Sequence, residues 1–520
     1  MKSLLRKNLE KVLKQEKGNI NLLERLQALA IKSLFLLIKN KSFSSNYIIP
    51  YNKVSHSSIQ PYLESSQYFL DSTTTKDRTK LGNKIFEHSL LNVNQDDIQI
   101  TADPLFNFTL GPTNNDLDYR YYNNVRGFRI TGDLSGNFSF ETRFYENQFF
   151  YPLYLQEKSS QRANPQMGVD GIAYGIGRAK LFKDYGHDAS LANGYLSFSP
   201  ISEINFQIGH GRHFFGDGYR SLLISDYAPD YPYISGQYFL FDKKILYKHV
   251  TSWMKNLERI PAASTPEALF IPKSTSFNQL SYCPNNRFTI SLFEGGVYQS
   301  FNDQNGVISP DLSFFLPIMG TKAIDADTTN NIIYGFNWSF LFFDNLKIYN
   351  QIALKSFNFS NGFQLGIKWF NPLKISNSFL NIEWNMAPSG LYSMSQGQVN
   401  QSYSHLGHEL AHPLGSGFQE LLIRGQFCYK YTFLRLNYNY ANFITGYSGN
   451  EIFEPLENLL FSISSENNRW FLNTNIGIML NKATNMEISI GHITRIYNSL
   501  AENYIFLSWR TNLKNDYFDQ

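Results

Sequence analysis

The sequence predicts an all-β fold, namely a transmembrane antiparallel β-barrel of about 16–18 strands with a small N-terminal helical periplasmic segment. Three observations lead to this prediction. From about Ile98 onward, apolar and polar residues alternate with a period of two. Aromatic residues make up 16% of the 520 residues, with 44 Phe and 33 Tyr. No run of 18 apolar residues occurs and the mean hydropathy is −0.31, which excludes helical membrane spans.

The alternation is clearest in segments that form consecutive hairpins. Residues 138–147 place aromatic side chains on one face and polar ones on the other: Phe138, Phe140 and Phe144 against Ser139, Glu141, Arg143 and Asn147. Residues 331–355 repeat the pattern around a tight turn at Asp344-Asn345, and residues 470–490 repeat it around a turn at Asn481–Ala483. Strand pairs joined by short turns are typical of up-and-down β topology.

The polar face distinguishes a membrane barrel from a soluble sandwich. Lys, Arg, Glu, Asn and Gln recur on it in strand after strand, and a sandwich core could not bury so many polar groups. A wet lumen accommodates them, while the apolar face meets lipid. Short turns are expected at the periplasmic end, and the long loops lie near 151–190, 215–235, 250–275, 300–330 and 388–418.

The predicted organisation has three parts: residues 1–45 as a signal or targeting segment, 46–95 as a helical or irregular periplasmic segment, and 96–520 as the barrel. Residues 1–41 contain ten Lys or Arg and three Glu. These residues have a net charge of +7, and the whole chain has a net charge of +3, so residues 42–520 have a net charge of −4. A mildly acidic remainder argues against a nucleic-acid partner. A basic front before a short apolar stretch indicates a secretory signal, and an amphipathic helix is the alternative. The two cysteines, Cys283 and Cys428, are too few for a disulfide scaffold, and their pairing stays open.

An H-E-x-x-H motif, the signature of zinc metallopeptidases, lies at His408, Glu409 and His412. In such enzymes two histidines one helical turn apart bind zinc, and the glutamate acts as the general base. Here Gly407 precedes the motif and Pro413 follows it, and a proline disfavours helical geometry at the residue before it. We therefore expect a structured loop and no cofactor, with metal binding by His408 and His412 as the weaker alternative.

The longer metallopeptidase motif also requires a third ligand. Gly415 is correctly placed for this extension, but the third ligand position holds Phe418, which cannot bind a metal. Glu420, Glu451 or Glu454 could supply the missing ligand, and nothing in their spacing selects one of them.

The densest cluster of aromatic and charged residues is HGRHFFGDGYRSLLISDYAPDYPYI, from His210 to Ile234. Its glycines lack the strand-to-helix context that a phosphate-binding loop requires. Two interpretations stay open. The charged residues pair inside the lumen and brace a bent strand, or the rings stack on a sugar while the charged groups bond its hydroxyls. The candidate residues are Asp217, Tyr219, Arg220, Asp226, Tyr231 and Tyr233.

This cluster resembles the signature of the Wzi-like outer-membrane proteins of Bacteroidota, which are often labelled gliding motility protein RemB. Five further stretches support the resemblance, in order along the chain: HSSIQPYL (56–63), ITADPLFNFTLG (100–111), RGFRITGDLSGNFSFETRFYENQ (126–148), GYLSFSPISEINFQIGHG (194–211) and HELAHPLGSGFQELLIRGQF (408–427). Together the resemblance covers residues 54 to 513.

The resemblance implies an outer-membrane barrel with a small helical periplasmic piece and a non-enzymatic role. In the Wzi branch that role is to hold capsular polysaccharide at the cell surface, and in the RemB branch it is surface attachment linked to gliding. The expected partners are outer-membrane lipid, capsular or extracellular polysaccharide and the barrel assembly machinery. A porin-like solute channel is the alternative function, and a zinc metallopeptidase is a more distant one.

Overall fold

The computed structural model describes residues 79, 82, 85 and 86, most of residues 88–511, and residues 517–519. Within 88–511 the undescribed positions are 96, 113–119, 135–136, 162–170, 184, 261–268, 286, 303, 311, 325–329, 344, 356–360, 395–398, 444–466, 482–483 and 498. The predicted segment 1–45 and most of the predicted segment 46–95 lie outside the described residues, so these boundaries stay predictions.

Strands dominate the described residues. In chain order they are β1 (Leu91–Gln95), β2 (Ile98–Pro112), β3 (Arg120–Leu134), β4 (Phe138–Phe150), β5 (Gly171–Ala173), β6 (Gly177–Phe182), β7 (Gly186–Ile201), β8 (Ile204–Gly211), β9 (Tyr231–Leu240), β10 (Ile245–Arg259), β11 (Phe270–Asn285), β12 (Phe288–Tyr298), β13 (Phe301–Asn302), β14 (Gly306–Val307), β15 (Asn331–Phe343), β16 (Leu346–Lys355), β17 (Asn361–Phe370), β18 (Ser378–Ala387), β19 (Ser404–His405), β20 (His408–Glu409), β21 (Phe418–Tyr429), β22 (Thr432–Phe443), β23 (Asn467–Asn481), β24 (Met486–Tyr497) and β25 (Leu500–Arg510). Three short α-helices are described: α1 (Leu153–Gln161), α2 (Leu312–Phe315) and α3 (Thr321–Ile324). Single 3-10 turns lie at Pro372–Lys374 and Val399–Gln401. Within this part of the chain, no helix has the length and apolar character needed to cross a membrane.

Eighteen of the described strands form a closed antiparallel barrel. The wall consists of β2–β4, β7–β12, β15–β18 and β21–β25, and each wall strand pairs with the next one along the chain. The barrel closes where β2 pairs with β25, with Asn107 opposite Arg510 and Leu110 opposite Leu507. The predicted all-β barrel of 16–18 strands is therefore confirmed at eighteen. Closure leaves no open sheet edge, which a membrane-spanning sheet requires.

Alternation along each wall strand places one set of side chains outside and the other inside. Leu110, Ile234, Ile476, Ile490 and Leu507 are among the large apolar side chains that stay exposed on the outer surface. The alternate positions hold buried polar residues, including Glu141, Arg143, Glu383, Asn385 and Glu420. Because successive side chains point to opposite faces of a strand, this pattern gives an apolar exterior and a polar lumen.

Aromatic residues cluster near both ends of the outer surface. At the ends of β22 and β23 that carry long loops, the ring of Trp470 lies 4.8 Å from Tyr440 and 5.8 Å from Tyr438, between centroids. At the opposite end, Trp509 lies 4.8 Å from Phe106. Two such bands are the girdles that transmembrane barrels present at the two interfaces of a bilayer.

The connections at the two ends of the barrel differ in length. One end has short turns such as Ser202–Glu203 and Tyr431 with its neighbour Lys430, and the other has the loops 151–185, 212–230, 299–330 and 388–417. By the usual rule the short turns mark the periplasmic end. The long loop expected near 250–275 is shorter, because β10 and β11 continue through a bulge until Arg259 pairs with Phe270.

The described part of the predicted periplasmic segment lies against the periplasmic end. The strand β1 forms a hairpin with β2, where Leu91 pairs with Ala102 and Gln95 with Ile98. The amide of Asn481, at the periplasmic end of β23, donates to the carbonyl oxygens of Ile85 (2.8 Å) and His88 (3.1 Å). These contacts hold the segment to the barrel rim just before the first wall strand.

Candidate functional site

Parts of three extracellular loops fill the lumen together with residues 517–519, and we refer to these segments together as the plug. The loop residues of the plug are 151–161, 171–177, 212–230, 388–394 and 399–417. Every residue from Gly211 to Tyr231 is buried, and residues 407–418 are buried as well. Loops at the rim of a barrel can be buried to this extent only by folding inward, where the polar face of the wall surrounds them.

Arg220, one of the predicted site residues, lies in the plug loop 212–230 and has no solvent exposure. Its Nη2 atom lies 3.2 Å from Oε1 of Glu420 on β21 and 2.9 Å from Oδ2 of Asp519. Its guanidinium carbon is 4.8 Å from the ring centroid of Tyr219. A buried charge is stable only when it is paired and hydrogen-bonded, and here two carboxylates share one guanidinium.

Glu383, which points inward from β18, holds the backbone of the same loop. Its carboxylate accepts the backbone N–H groups of Tyr219 (2.7 Å) and Arg220 (3.1 Å). It also accepts the Tyr349 hydroxyl (2.7 Å) and the Asn385 amide (2.9 Å). Two of these donors belong to the loop and two to inward-facing residues of β16 and β18, so this buried carboxylate ties the loop to two wall strands.

Glu420 is the second inward-facing carboxylate of this network. Besides Arg220, it accepts hydrogen bonds from the amides of Asn385 (3.0 Å) and Asn439, and from Nε2 of His412 (2.8 Å). The backbone N–H of Leu414 donates to Nδ1 of His412 at 3.1 Å, so the ring proton resides on Nε2. Burial lowers the pKa of His412, and the facing Glu420 carboxylate opposes that shift.

The two predicted aspartates also have protein partners. Asp217 forms an ion pair with Lys347 and accepts the Asn337 amide at 3.2 Å. Asp226 accepts the hydroxyl of Tyr517, and burial together with this carboxylate raises the pKa of that hydroxyl. Both aspartates are therefore bound to the wall or to the C-terminal segment of the plug.

Tyr231 and Tyr233 lie on β9 with their side chains turned into the lumen. The Tyr231 hydroxyl is 3.2 Å from Nδ1 of His213, and the Tyr233 hydroxyl donates to Oε1 of Gln207 at 2.7 Å. All six predicted residues are thus buried inside the barrel, each less than a tenth exposed. Their polar groups bond to other residues of the plug and of the wall, and a role of these six residues in carbohydrate binding stays a prediction.

The H-E-x-x-H motif is not helical. His408 and Glu409 form the short strand β20, which pairs with β19, and Pro413 begins a turn. The Nε2 atom of His408 accepts the Gly175 N–H at 3.3 Å, and its Nδ1 atom lies 2.8 Å from the Leu406 carbonyl. In the residues that the structure describes, no group of three or more His, Cys, Asp and Glu is placed to hold a metal ion.

Residues 517–519 also belong to the site, although the sequence analysis did not predict them as site residues. The Tyr154 hydroxyl of α1 donates to the Phe518 carbonyl at 2.5 Å, and the Asn437 amide donates to Asp519 at 2.9 Å. Nη2 of Arg469 donates to the Asp519 carbonyl at 3.1 Å. This segment follows the last wall strand yet bonds to loops from the opposite end of the barrel, and no motif marks such a return.

A chamber of about 230 Å³ separates the plug from the wall on the periplasmic side. Residues of β2, β3, β18 and β21–β25 line it, together with Tyr219, Phe518 and Asp519 of the plug. Glu487 stands one residue after the start of β24, and Arg510 ends β25, so the chamber lies close to the periplasmic rim. Cys283 and Cys428, on β11 and β21, are not joined by a disulfide.

A closed barrel with a polar interior, an apolar exterior and two aromatic girdles is the architecture of the bacterial outer membrane. The protein is an outer-membrane β-barrel. No protein-family model matches the chain, and no curated protein matches it by sequence.

Solved structures of similar shape include a capsule-assembly protein and several porins. One is Wzi of Escherichia coli, described as an outer-membrane protein involved in group 1 capsule assembly and a carbohydrate-binding β-barrel. It is 11% identical, with 79% of this chain and 85% of that chain covered and a TM-score of 0.49. OprD of Pseudomonas aeruginosa is 10% identical (79% and 94% covered, TM-score 0.42), and OpdK of the same organism, solved with vanillate, is 7% identical (79% and 98%, 0.45). Similarities at this level carry no functional information.

Proposed function

We propose that the protein binds or organises capsular or extracellular polysaccharide at the cell surface, without catalysing a reaction. The observation that carries this proposal is the plug. Loop 212–230 is bonded to wall residues on several sides through Arg220, Glu383 and Glu420, and these bonds keep the lumen filled. A barrel whose lumen is occupied in this way is suited to presenting a surface rather than to passing solutes. Outer-membrane lipid and the barrel assembly machinery are its further proposed partners, and surface adhesion or gliding is the proposed context.

A cluster of half-buried rings at the extracellular rim supports the proposal. The ring of Phe150 lies 4.8 Å from Tyr185, 5.8 Å from Tyr122 and 6.0 Å from Phe182, between centroids. Phe182 and Tyr185 flank the tight turn between β6 and β7, which projects from the loop 151–185. Partly exposed rings on a projecting hairpin can stack against the faces of sugar rings, which is a common mode of carbohydrate binding.

Capsule staining of intact cells tests the proposal. Cells without the gene are expected to lose surface polymer to the medium, and the Phe182→Ala/Tyr185→Ala double variant is expected to do the same. The matched control is Phe342→Ala, which removes an exposed ring at the periplasmic end of β15. A heat-modifiability gel verifies that each variant is a folded barrel. Unchanged retention of polymer in cells that lack the gene contradicts the proposal.

A porin-like channel is the second candidate, and the periplasmic chamber is the observation that favours it. The chamber is lined by charges of both signs, including Arg424, Arg435, Glu487 and Arg510, as the walls of a solute pathway often are. Planar-bilayer recording distinguishes the two functions. A plugged barrel is expected to give no stable conductance, whereas steady ohmic steps in the wild-type protein would favour the channel.

A further inference from the structure

The arginines that line the periplasmic chamber take no part in the ion pairs that hold the plug. Three arginines line it, and two of them share one carboxylate: Arg435 reaches Glu487 with both terminal nitrogens at 2.8 and 2.9 Å, and Nε of Arg510 lies 2.9 Å from the same residue. The other acid of the lining, Asp519, faces Arg220 in the plug. The chamber therefore has an excess of positive charge.

Arg424 is the arginine whose charge has no carboxylate beside it. Its guanidinium carbon lies 3.7 Å from the ring centroid of Tyr219, and among the described residues its side chain makes no hydrogen bond. Contact with a ring occupies the face of a guanidinium and leaves the N–H groups at its edge free to donate. Arg424 is half-buried and borders the chamber, so these donors are available to a ligand there.

Amide groups and rings form the rest of the wall. Asn437 and Asn473 stand opposite each other on β22 and β23, and the Asn475 amide donates to Asn473 at 2.7 Å. The buried Oδ1 atom of Asn437 has no hydrogen-bond partner among the described residues. Phe471 and Phe506 supply apolar surface beside these amides. A planar cation, hydroxyl-bonding amides and a ring surface are the three elements that recognise an acidic sugar.

We propose that this chamber binds one carboxylate-bearing sugar residue from the periplasmic side, with its carboxylate on the guanidinium edge of Arg424. The volume of about 230 Å³ is below the range of about 300–1,000 Å³ typical of drug-sized ligand pockets, which suits a single sugar rather than an oligosaccharide. The site faces the periplasm, beneath the plug, and is separate from the proposed polymer contact at the extracellular rim. It extends the proposed function without depending on it.

Calorimetric titration of the full-length protein in detergent tests the inference, with galacturonate, galactose and inorganic phosphate as probes. Galacturonate is expected to bind at least about tenfold more tightly than galactose, because galactose lacks the charge-assisted bonds to arginine. Phosphate is expected to bind more weakly than galacturonate, because it has no sugar ring to pack against Phe471 and Phe506. The galacturonate affinity is also expected to fall as salt rises.

Arg424→Gln is expected to reduce galacturonate affinity by about tenfold or more, while Arg424→Lys retains part of it. The matched control is Arg129→Gln, which removes a lumen arginine that pairs with Glu141 at 2.8 Å, away from the chamber. Heat-modifiability of all three variants verifies a folded barrel. Equal affinity for galacturonate and galactose, or wild-type galacturonate affinity in folded Arg424→Gln, overturns the inference. Phosphate binding as tight as galacturonate binding overturns the claim that the chamber recognises a sugar. Loss of capsule retention is not a readout here, so failure of the proposed function is scored separately.

Discussion

Replacing Arg220 with Met is expected to loosen the plug without opening the barrel. The change removes a buried guanidinium and leaves the carboxylates of Glu420 and Asp519 without it. Breaking a buried ion pair by removing one partner costs about 3–5 kcal/mol. Glu420 keeps its bond from His412 and Asp519 keeps its bond from Asn437, so we expect the lower limit, about 3 kcal/mol. That free energy corresponds to about a hundredfold increase in the equilibrium constant for opening of the plug.

Hydrogen exchange followed by mass spectrometry measures this opening directly. In the wild-type protein, amides such as Ser225 N–H, which donates to the Leu410 carbonyl at 2.8 Å, are buried in the plug. Peptides covering 212–230 are expected to exchange about a hundredfold faster in Arg220→Met, because exchange from a transiently open state follows its population. Peptides from wall strands such as β22 and β23 are expected to stay protected, since their ladder bonds do not involve Arg220.

Two further variants identify the cause of any change. Arg129→Met removes a lumen arginine that is a quarter exposed, and its partner Glu141 retains Arg143, so exchange in 212–230 is expected to stay at the wild-type rate. Asp519→Asn removes one of the two acids and is expected to accelerate exchange less than Arg220→Met does. Exchange in 212–230 that is unchanged in Arg220→Met refutes the view that this ion-pair network holds the plug.

Three other predictions test the remaining parts of the structure. A variant that ends at Thr511 loses the bonds of Tyr517 and Asp519, and faster exchange is expected in 153–161 and 212–230 from a barrel that is still heat-modifiable. Gly366→Ala places a Cβ 2.2 Å from the Tyr349 ring and is expected to lower the yield of folded barrel in membranes. Gly425→Ala, whose added Cβ has no atom within 4 Å, is expected to preserve that yield. Equal yields of the two variants would contradict the close contact between Gly366 and Tyr349. Ile505→Arg, on the outer surface at the middle of β25, is expected to cost about 2–4 kcal/mol in a urea titration of folded barrel in lipid, and Leu500→Arg at the strand end about 0–1 kcal/mol.

The wall of the barrel could be predicted from sequence because its signal is local. Two-residue alternation fixes which side chains point outward, and short turns fix which strands are neighbours. Inward-facing positions such as Glu141, Glu383 and Glu420 follow from the same parity. The predicted loop at 250–275 was too long because β10 and β11 continue past the point where their polar and apolar residues cease to alternate.

The plug could not be predicted in the same way because its contacts are remote along the chain. Arg220 meets Glu420 two hundred positions later, and no spacing rule connects them. The cluster from His210 to Ile234 stands out in the sequence by its charges and rings, but the wall residues that it contacts could not be predicted. The H-E-x-x-H motif shows the opposite case: its local pattern is that of a zinc site, whereas in the structure it is not helical and its histidines bond to Glu420, Gly175 and the Leu406 carbonyl.

The composition of the network bears on the order in which the plug and the wall form. Taking Arg220 out of water before its partners are present would cost several kcal/mol per unpaired ion. One partner, Glu420, belongs to β21, and the other, Asp519, follows β25, so both lie far downstream of loop 212–230. Loop 212–230 is therefore stable in the lumen only after β21 and residues 517–519 have reached their final positions. A hydrophobic plug could bury its side chains against an incomplete wall at no such cost. A charged plug is stable in the lumen only after the strands that carry its ion-pair partners have formed.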